Sequence, residues 1–234
     1  MIPAIQIHET VLRKLRGYSK ASDVKPKHID DAVEEAIQIF MEKMVAIAEK
    51  NEKIREDLRP IKRMGEPVSF IKYKDEIIVE LPTDYYRRTG IVVIVRTDTC
   101  PDRELKVVYP LDKEYREAKK DSNWGPSYEW GHTVAEDSYK GIHIAISKEM
   151  IPRKVYLDYY RKPLYVRYAE GAEDGEYKGK DGHKVNTNQG LELDNNYQSR
   201  IITDLATLII SVDRESPSFG NRLQSIFQID KLYN

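Results

Sequence analysis

Cysteine and long apolar runs are both scarce in this sequence. Cys100 is the only cysteine among 234 residues, which excludes a disulfide within the chain and a thiolate-bound metal cluster. A chain with so little cysteine is typical of a reducing compartment. The runs "IVVIV" and "LATLII" are far shorter than the roughly 20 residues of a membrane-spanning helix. The start, "MIPAIQIHET", lacks the pattern of a secretory signal. We therefore expect no membrane partner.

An excess of either charge is also missing. The chain has 38 basic and 39 acidic residues, a formal net charge of −1. Proteins that bind nucleic acid tightly usually carry an excess of basic residues on the binding domain. The balance therefore argues against a dedicated nucleic-acid binder, but it allows a protein that lies close to DNA.

Recognisable catalytic and ligand-binding motifs are absent as well. The sequence has no P-loop, no G-x-G-x-x-G and no G-x-S-x-G motif. His132, Glu136 and Asp137 stand close together in "HTVAED", but the spacing of zinc and calcium motifs is missing, so a polar loop is the better interpretation. Cys100 lies in "RTDTCPDR" without a recognisable base nearby, and we interpret it as a small filler residue. We expect no catalytic residues, no metal and no cofactor.

Helical periodicity marks the first part of the chain. Residues 8–17 place apolar side chains on one face and predict a short helix. Residues 28–58 carry an apolar stripe at steps of three and four over many turns, which predicts one long helix that ends before Pro60.

Helical periodicity returns at the end of the chain. Asp194 is a candidate N-cap for a helix over residues 195–213. Pro217 and Gly220 are expected to break that helix, and residues 221–233 are expected to form a last short one.

Between these helices the apolar period changes to that of strands. The predicted strands are short and rich in branched and aromatic residues, namely "PVSFIKY", "EIIVEL", "GIVVIVRT", "ELKVVYP", "GIHIAIS" and "KVYLDYY". Two long polar segments, residues 112–140 and 170–189, interrupt them. Loops of this length inside a compact domain are usually functional or disordered.

Together these patterns predict an α+β fold in which terminal helices form a bundle and carry an inserted antiparallel β subdomain, either a sandwich or a small barrel. The expected division is an N-terminal helical part (1–65), a β subdomain with two long loops (66–190) and C-terminal helices (191–234). The C-terminal helices should pack on the N-terminal part, giving one composite domain.

Two segments with the same order of residues stand out in the β region. "PTDYYRRTG" (82–90) and "DYYRKPLYVRY" (158–168) each contain Asp, a pair of tyrosines and then two basic residues. Nucleic-acid stacking, a substrate groove and a subunit interface all use such side chains. We interpret the segments, together with both tryptophans, as an assembly interface, since a monomer has little reason to expose so many anchors. The predicted interface residues are Tyr85, Tyr86, Arg87, Trp124, Trp130, Tyr159, Tyr160, Arg161, Lys162 and Tyr165.

The order of several short motifs resembles a known family. These motifs are "DLRPI" (57–61), "ELPTDYYR" (80–87), "LDYYRKP" (157–163), "LELDNNYQSRIITDLATLI" (191–209) and "NRLQS" (221–225). In this order they resemble the head-to-tail connector proteins of tailed bacteriophages, especially the gatekeeper or tail-tubular ring proteins of short-tailed and crAss-like phages. The family often has His after the "LEL" segment, where this chain has Asn196 or Tyr197.

The resemblance implies a virion structural protein and not an enzyme. It implies a homo-oligomeric ring of about twelve copies beneath the portal, which joins portal to tail components in the virion. DNA would pass through the channel without specific binding.

Two other functions remain open from the residues alone. The Tyr/Arg surface of the β subdomain is also compatible with a module that binds single-stranded nucleic acid or a glycan. A small hydrolase that uses Cys100 or His132 is the weakest of the three alternatives.

Overall fold

The structure is a computed structural model that describes residues 1–16, 18, 24–110, 115–120, 125–169, 188–193 and 195–227. Over these residues the chain combines six α-helices with an eight-stranded curled sheet, which confirms the predicted α+β class. It divides into two compact units, of which the first combines Met1–Pro60 with Pro163–Asn234 and the second is Ile61–Lys162. The second unit thus begins at residue 61 and ends at residue 162, where the sequence predicted 66 and 190.

The helices fall at both ends of the chain, apart from one short helix in the second unit. They are α1 (Ala4–Leu15), α2 (Pro26–Ala48), α3 (Glu52–Asp57), α4 (Tyr115–Ala118), α5 (Asn196–Ser211) and α6 (Pro217–Phe227). In the first unit α5 packs against α2 and α1, and α6 packs against α5. Nearly every residue in the middle of α5 is buried, so this helix lies at the centre of the unit.

The long helix predicted over residues 28–58 is divided in two. Helix α2 ends at Ala48, and Asn51 begins α3 by accepting a hydrogen bond from the Ile54 amide to its side chain. An asparagine at this position satisfies a free amide of a new helix, which favours a restart over continuation. The apolar stripe alone did not reveal this interruption.

The C-terminal prediction needs a similar correction. Helix α5 ends at Ser211, before Pro217 as predicted, but helix α6 already begins at Pro217 and runs through Gly220, where the sequence predicted a start at residue 221. A proline fits the first turn of a helix because its missing amide has no partner there in any case. Helix α5 is capped by Asn195, whose side chain accepts from the Tyr197 amide, while the predicted cap Asp194 lies outside the described residues.

The sheet belongs to the second unit. Its strands are β1 (Lys62–Pro67), β2 (Phe70–Tyr73), β3 (Glu76–Val79), β4 (Tyr85–Arg96), β5 (Arg103–Val108), β6 (His132–Ser138), β7 (Gly141–Ala145) and β8 (Ile151–Arg161). Their order in the sheet is β1-β8-β4-β5-β6-β7-β3-β2. All six predicted strands are present, and β2 and β3 pair as an antiparallel hairpin.

Two strands and one pairing differ from the prediction. Strands β1 and β6 were not predicted, because neither "KRMGEP" nor "HTVAEDS" shows a clear apolar alternation. Strand β6 pairs in parallel with β5, so the sheet is not purely antiparallel.

The curled sheet encloses its own core. Buried side chains from β3, β4, β5, β6, β7 and β8 form one apolar cluster, with Val93, Leu105, Ile144 and Val155 among its members. Strands β1 and β2 lie at the two ends of the strand order, yet only Val68 and Ser69 separate them. The Val68 amide donates to the Val155 carbonyl, and Ser69 accepts from the Glu80 amide. This short connection therefore links the two edges of the sheet.

From Pro163 onward the chain belongs to the first unit, where buried polar contacts hold it. The His8 ring lies 2.7 Å from Asp30, whose other carboxylate oxygen accepts from the Tyr168 amide. Arg167 lies 3.5 Å from Glu34 and pairs through its backbone with Gln189. Arg167, Tyr168 and Gln189 are thus held within the first unit. Among the described helices, none is long and apolar enough to cross a membrane.

Candidate interaction surface

The two Tyr/Arg segments pair with each other. Strand β4 runs antiparallel to β8, and this pairing places Tyr85 opposite Arg161 and Arg88 opposite Tyr159. The similarity that linked the two segments in the sequence therefore corresponds to neighbouring strands in one sheet. The register of this pairing shifts at three points, each of which leaves one residue of a strand without a partner.

One tyrosine from each segment contributes to a small cluster. The Tyr85 and Tyr159 rings lie 5.7 Å apart, and the Tyr159 hydroxyl donates to Asp84 at 3.0 Å. The Asp84 carbonyl also accepts from the Lys162 amide. Burial, followed by the hydrogen bond to Asp84, raises the pKa of Tyr159 to about 12. These contacts stabilise the end of the β4–β8 pair.

Burial divides the predicted interface residues of the β4–β8 pair into two groups. Tyr159, Tyr160 and Arg161 are 4%, 3% and 8% exposed, so they are buried within the chain. Such burial argues against a role as exposed anchors. Tyr85 and Tyr86 are half-buried, while Arg87 and Lys162 are exposed.

Arg88 contributes a contact that the sequence did not predict. Its guanidinium carbon lies 3.3 Å from the centroid of the Tyr109 ring, and its Nη2 lies 3.1 Å from Asp137. Burial raises the pKa of Tyr109, so its hydroxyl stays neutral under the cation. In the sequence, Arg88 is visible only as the second basic residue of "YYRR". Its partners could not be predicted, because they lie on distant parts of the chain.

Trp130 lies in a tight turn formed by residues 127–132, which we call the Trp130 turn. Ser127 and His132 exchange two backbone hydrogen bonds, and the Ser127 hydroxyl accepts from the Trp130 amide at 3.1 Å. Gly131 has a φ of +67°, a conformation that glycine adopts without strain. This backbone presents the Trp130 side chain to solvent, where it is 58% exposed.

Neighbouring side chains support the Trp130 turn. The Trp130 and His132 rings stack with their centroids 5.9 Å apart. Arg103 lies over the Tyr128 ring and against the Gly131 backbone, where a methyl group would come within 3.1 Å of its guanidinium. The Gly131 carbonyl accepts from Lys106 of β5. The turn is therefore fixed to the sheet while its indole stays exposed.

The two remaining predicted residues do not belong to this turn. Tyr165 belongs to the first unit and is exposed, with the Arg167 guanidinium 5.0 Å from its ring. Trp124 lies outside the described residues.

The residues considered for chemistry do not converge. His132, Glu136 and Asp137 lie on strand β6 and not in a loop, and Glu136 and Asp137 point to opposite faces of the sheet because they are adjacent. Cys100 is exposed, and its Sγ lies 3.7 Å from the Thr99 hydroxyl. Within the described ranges, no group of three or more His, Cys, Asp or Glu side chains is arranged to hold a metal ion.

Neither a comparison with protein-family models nor a search of curated proteins gives a significant match to this chain.

Proposed function

We propose that this protein is a virion structural protein of a bacteriophage head-to-tail connector or tail. In this proposal about twelve copies form a ring that joins the portal to tail components, and DNA passes through the centre without specific binding. The observation that carries the proposal is the exposed, rigidly held Trp130 on a chain whose motif order resembles the connector family.

The order of the two units along the chain supports the proposal. Both ends of the chain contribute to the first unit, and the second unit is inserted between Pro60 and Pro163. The resemblance implies this order of a helical core and an inserted β subdomain. We further propose that α1, α2 and α5 form one bundle, since α5 packs against both of the others.

The Trp130 turn has the properties of an interface anchor. Tryptophan, tyrosine and arginine dominate the binding energy of protein interfaces, and they are most effective when the free protein already holds them in place. Trp130, Tyr128 and Arg103 bring these three residue types together. In a cyclic ring such a patch meets a different patch on the next copy, so each copy needs only one Trp130 turn.

The overall charge is also compatible with a DNA channel. A net charge of −1 gives no large electrostatic attraction for phosphates, which would otherwise retain the DNA. The proposal needs no catalytic residue, so the lack of convergence among His132, Glu136 and Asp137 does not count against it.

The proposal is tested by negative-stain electron microscopy and light scattering of the purified chain, alone and mixed with the portal protein of the same phage. The expected result is a closed ring with a central opening, in at least one of the two samples. A chain that stays monomeric in both samples and binds single-stranded oligonucleotide with a steep salt dependence would replace the connector proposal with the nucleic-acid-binding alternative.

Two double variants, a test and a control, show whether the exposed basic residues of the β4–β8 pair act in assembly or whether any loss of positive charge has the same effect. Replacing Arg87 and Lys162 with serine removes the two exposed basic residues at the end of the β4–β8 pair, and we expect fewer rings. The matched control replaces Lys53 and Lys148, which are basic residues outside this pair. Equal loss of rings in both double variants would contradict a specific role for the β4–β8 end.

A further inference from the structure

A cleft of about 410 Å³ lies between α1 and α5 in the first unit. This volume falls within the range of small-ligand sites. The residues that line it from α1 recur at steps of three and four, as do those from α5, so each helix presents one face to the cleft. The cleft is separate in sequence from the Trp130 turn, which belongs to the second unit.

The lining of the cleft is strongly basic. Arg13 and Lys14 of α1 and Arg200 of α5 supply three cations, and Asp204 supplies the one carboxylate of the described lining, which leaves a net charge of +2. The chain as a whole carries a net charge of −1, so this cleft departs clearly from the average surface. Such a local excess favours an anionic ligand.

The contacts within the cleft fix some of these charges and leave others available. Lys14 Nζ lies 2.8 Å from Asp204 and donates to the Thr203 hydroxyl at 2.6 Å. Arg200 Nε is 3.8 Å from Asp204, and its side chain is largely exposed. Asp204 therefore mainly holds Lys14, while Arg13 and Arg200 lie on opposite walls with exposed side chains.

We propose that this cleft binds a phosphate group. A phosphomonoester carries a charge of about −1.5 to −2 near neutral pH, which matches the +2 of the lining, whereas one carboxylate would leave a positive charge uncompensated. Guanidinium groups donate in a fork that fits phosphate oxygens, and two arginines on facing walls can bind different oxygens. Thr10 and Ser199 also line the cleft, where their hydroxyls donate to the backbone carbonyls of Gln6 and Asn196.

Two sources can supply this chemistry, namely a small phosphorylated molecule and the phosphates of a nucleic-acid strand. The inference does not rest on the connector proposal, because it uses only residues of α1 and α5.

Isothermal titration calorimetry on the purified full-length chain tests the phosphate site. The probes are inorganic phosphate, a nucleoside monophosphate and a short DNA duplex, each titrated at low and at moderate salt. We expect saturable binding with one site per chain. The double variant Arg13→Gln and Arg200→Gln is expected to weaken binding by at least about tenfold, because it removes charge-assisted hydrogen bonds from both walls.

The control is the double variant Arg16→Gln and Lys43→Gln, which removes two exposed cations outside the cleft. It is expected to change affinity by less than about twofold. Tighter binding of the monophosphate than of the duplex identifies a small molecule as the source. Tighter binding of the duplex, with a steep salt dependence, identifies nucleic acid.

Absence of saturable binding by all three probes would overturn the phosphate site, as would equal losses in the two double variants. Ring formation is measured separately by microscopy, so a failure of the phosphate site leaves the connector proposal unaffected. All four substituted residues are exposed, and matching thermal unfolding curves check that the variants remain folded.

Discussion

Tyr159 shows how one side chain serves two purposes at the end of the β4–β8 pair. Its ring packs beside Tyr85 inside the curled sheet, and its hydroxyl donates to Asp84. The sequence placed this residue in a segment with an unusual density of tyrosine and arginine, and strand alternation puts it on the same face as the buried Val155 and Leu157. Alternation does not account for the burial of the residue that follows, Tyr160.

Removal of the Tyr159 hydroxyl tests its hydrogen bond without changing the ring. We expect Tyr159→Phe to lower the free energy of unfolding by about 1 kcal/mol, the usual contribution of one hydrogen bond. Urea denaturation measures the change. Tyr139→Phe serves as the control, since Tyr139 is 91% exposed, and a similar loss in the control would rule out the Asp84 contact as the cause.

Replacement by alanine is expected to have opposite effects on stability at two glycines, Gly90 and Gly220. A methyl group at Gly90 would lie 2.9 Å from an Asp158 carboxylate oxygen, and Asp158 also accepts from the Gly65 amide. Gly90→Ala is therefore expected to destabilise the chain by about 1–3 kcal/mol. Gly220 lies in α6 with open space around it, so Gly220→Ala is expected to be neutral or stabilising by up to about 1 kcal/mol. Denaturation curves of both variants check the signs, and the account fails here if Gly90→Ala is tolerated as well as Gly220→Ala.

Elements were predicted most reliably where the apolar period was long and regular. Helices α2 and α5 and strands β4 and β8 follow from such patterns. The restart at Asn51, the polar strand β6 and the parallel β5–β6 pair do not, because each depends on a cap or on a neighbour that lies far away in the sequence. The candidate surface was predicted in the same partial way, since the segments were recognised but the burial of Tyr160 and Arg161 was not.

Lys119, the residue after helix α4, makes an ionic contact with the sheet that predicts a pH dependence. Glu76 accepts from Lys119 at 2.5 Å and lies 3.5 Å from His143. Burial alone would raise the pKa of Glu76, but Lys119 and His143 together lower it below its ordinary value of 4.5. The contact therefore stabilises the fold fully above that value and is lost as the pH falls through the lowered pKa.

The variant Glu76→Gln is expected to be less stable than the natural chain at neutral pH, with a difference that shrinks once the pH falls below about 4.5. Glu104→Gln is the control, because Glu104 is exposed on β5. Chemical denaturation across this pH range measures both. A stability difference that stays constant with pH would exclude the Glu76 contact as its origin.

Helix α6 differs from the other terminal helices in its packing. It is amphipathic, yet none of its residues is buried, whereas most of α5 is. A helix of 11 residues is marginal in water without tertiary support. We expect its amides to exchange with solvent much faster than those of α5, as measured by hydrogen exchange with mass spectrometry. Equal protection of both helices would contradict this description of α6.

At the scale of the whole molecule, insertion of one unit into another was predictable because helical and strand periods occupy separate stretches of the chain. The boundaries at Pro60 and Pro163 were harder to predict, because the sequence of residues 163–169 continues the tyrosine-rich and basic pattern of β8. Buried contacts of Arg167 and Tyr168 with Glu34 and Asp30 assign them to the helical unit. Those partners lie more than a hundred residues away, beyond the reach of any local pattern.

The molar mass of the assembled protein, measured by light scattering for matched tryptophan and tyrosine variants, tests the central claim most directly. Trp130→Ala is expected to raise the concentration needed for assembly by about tenfold or more, as loss of an interface anchor does, while Tyr139→Ala leaves it nearly unchanged. If the natural chain and the Trp130→Ala variant assemble at the same concentration, the account is contradicted.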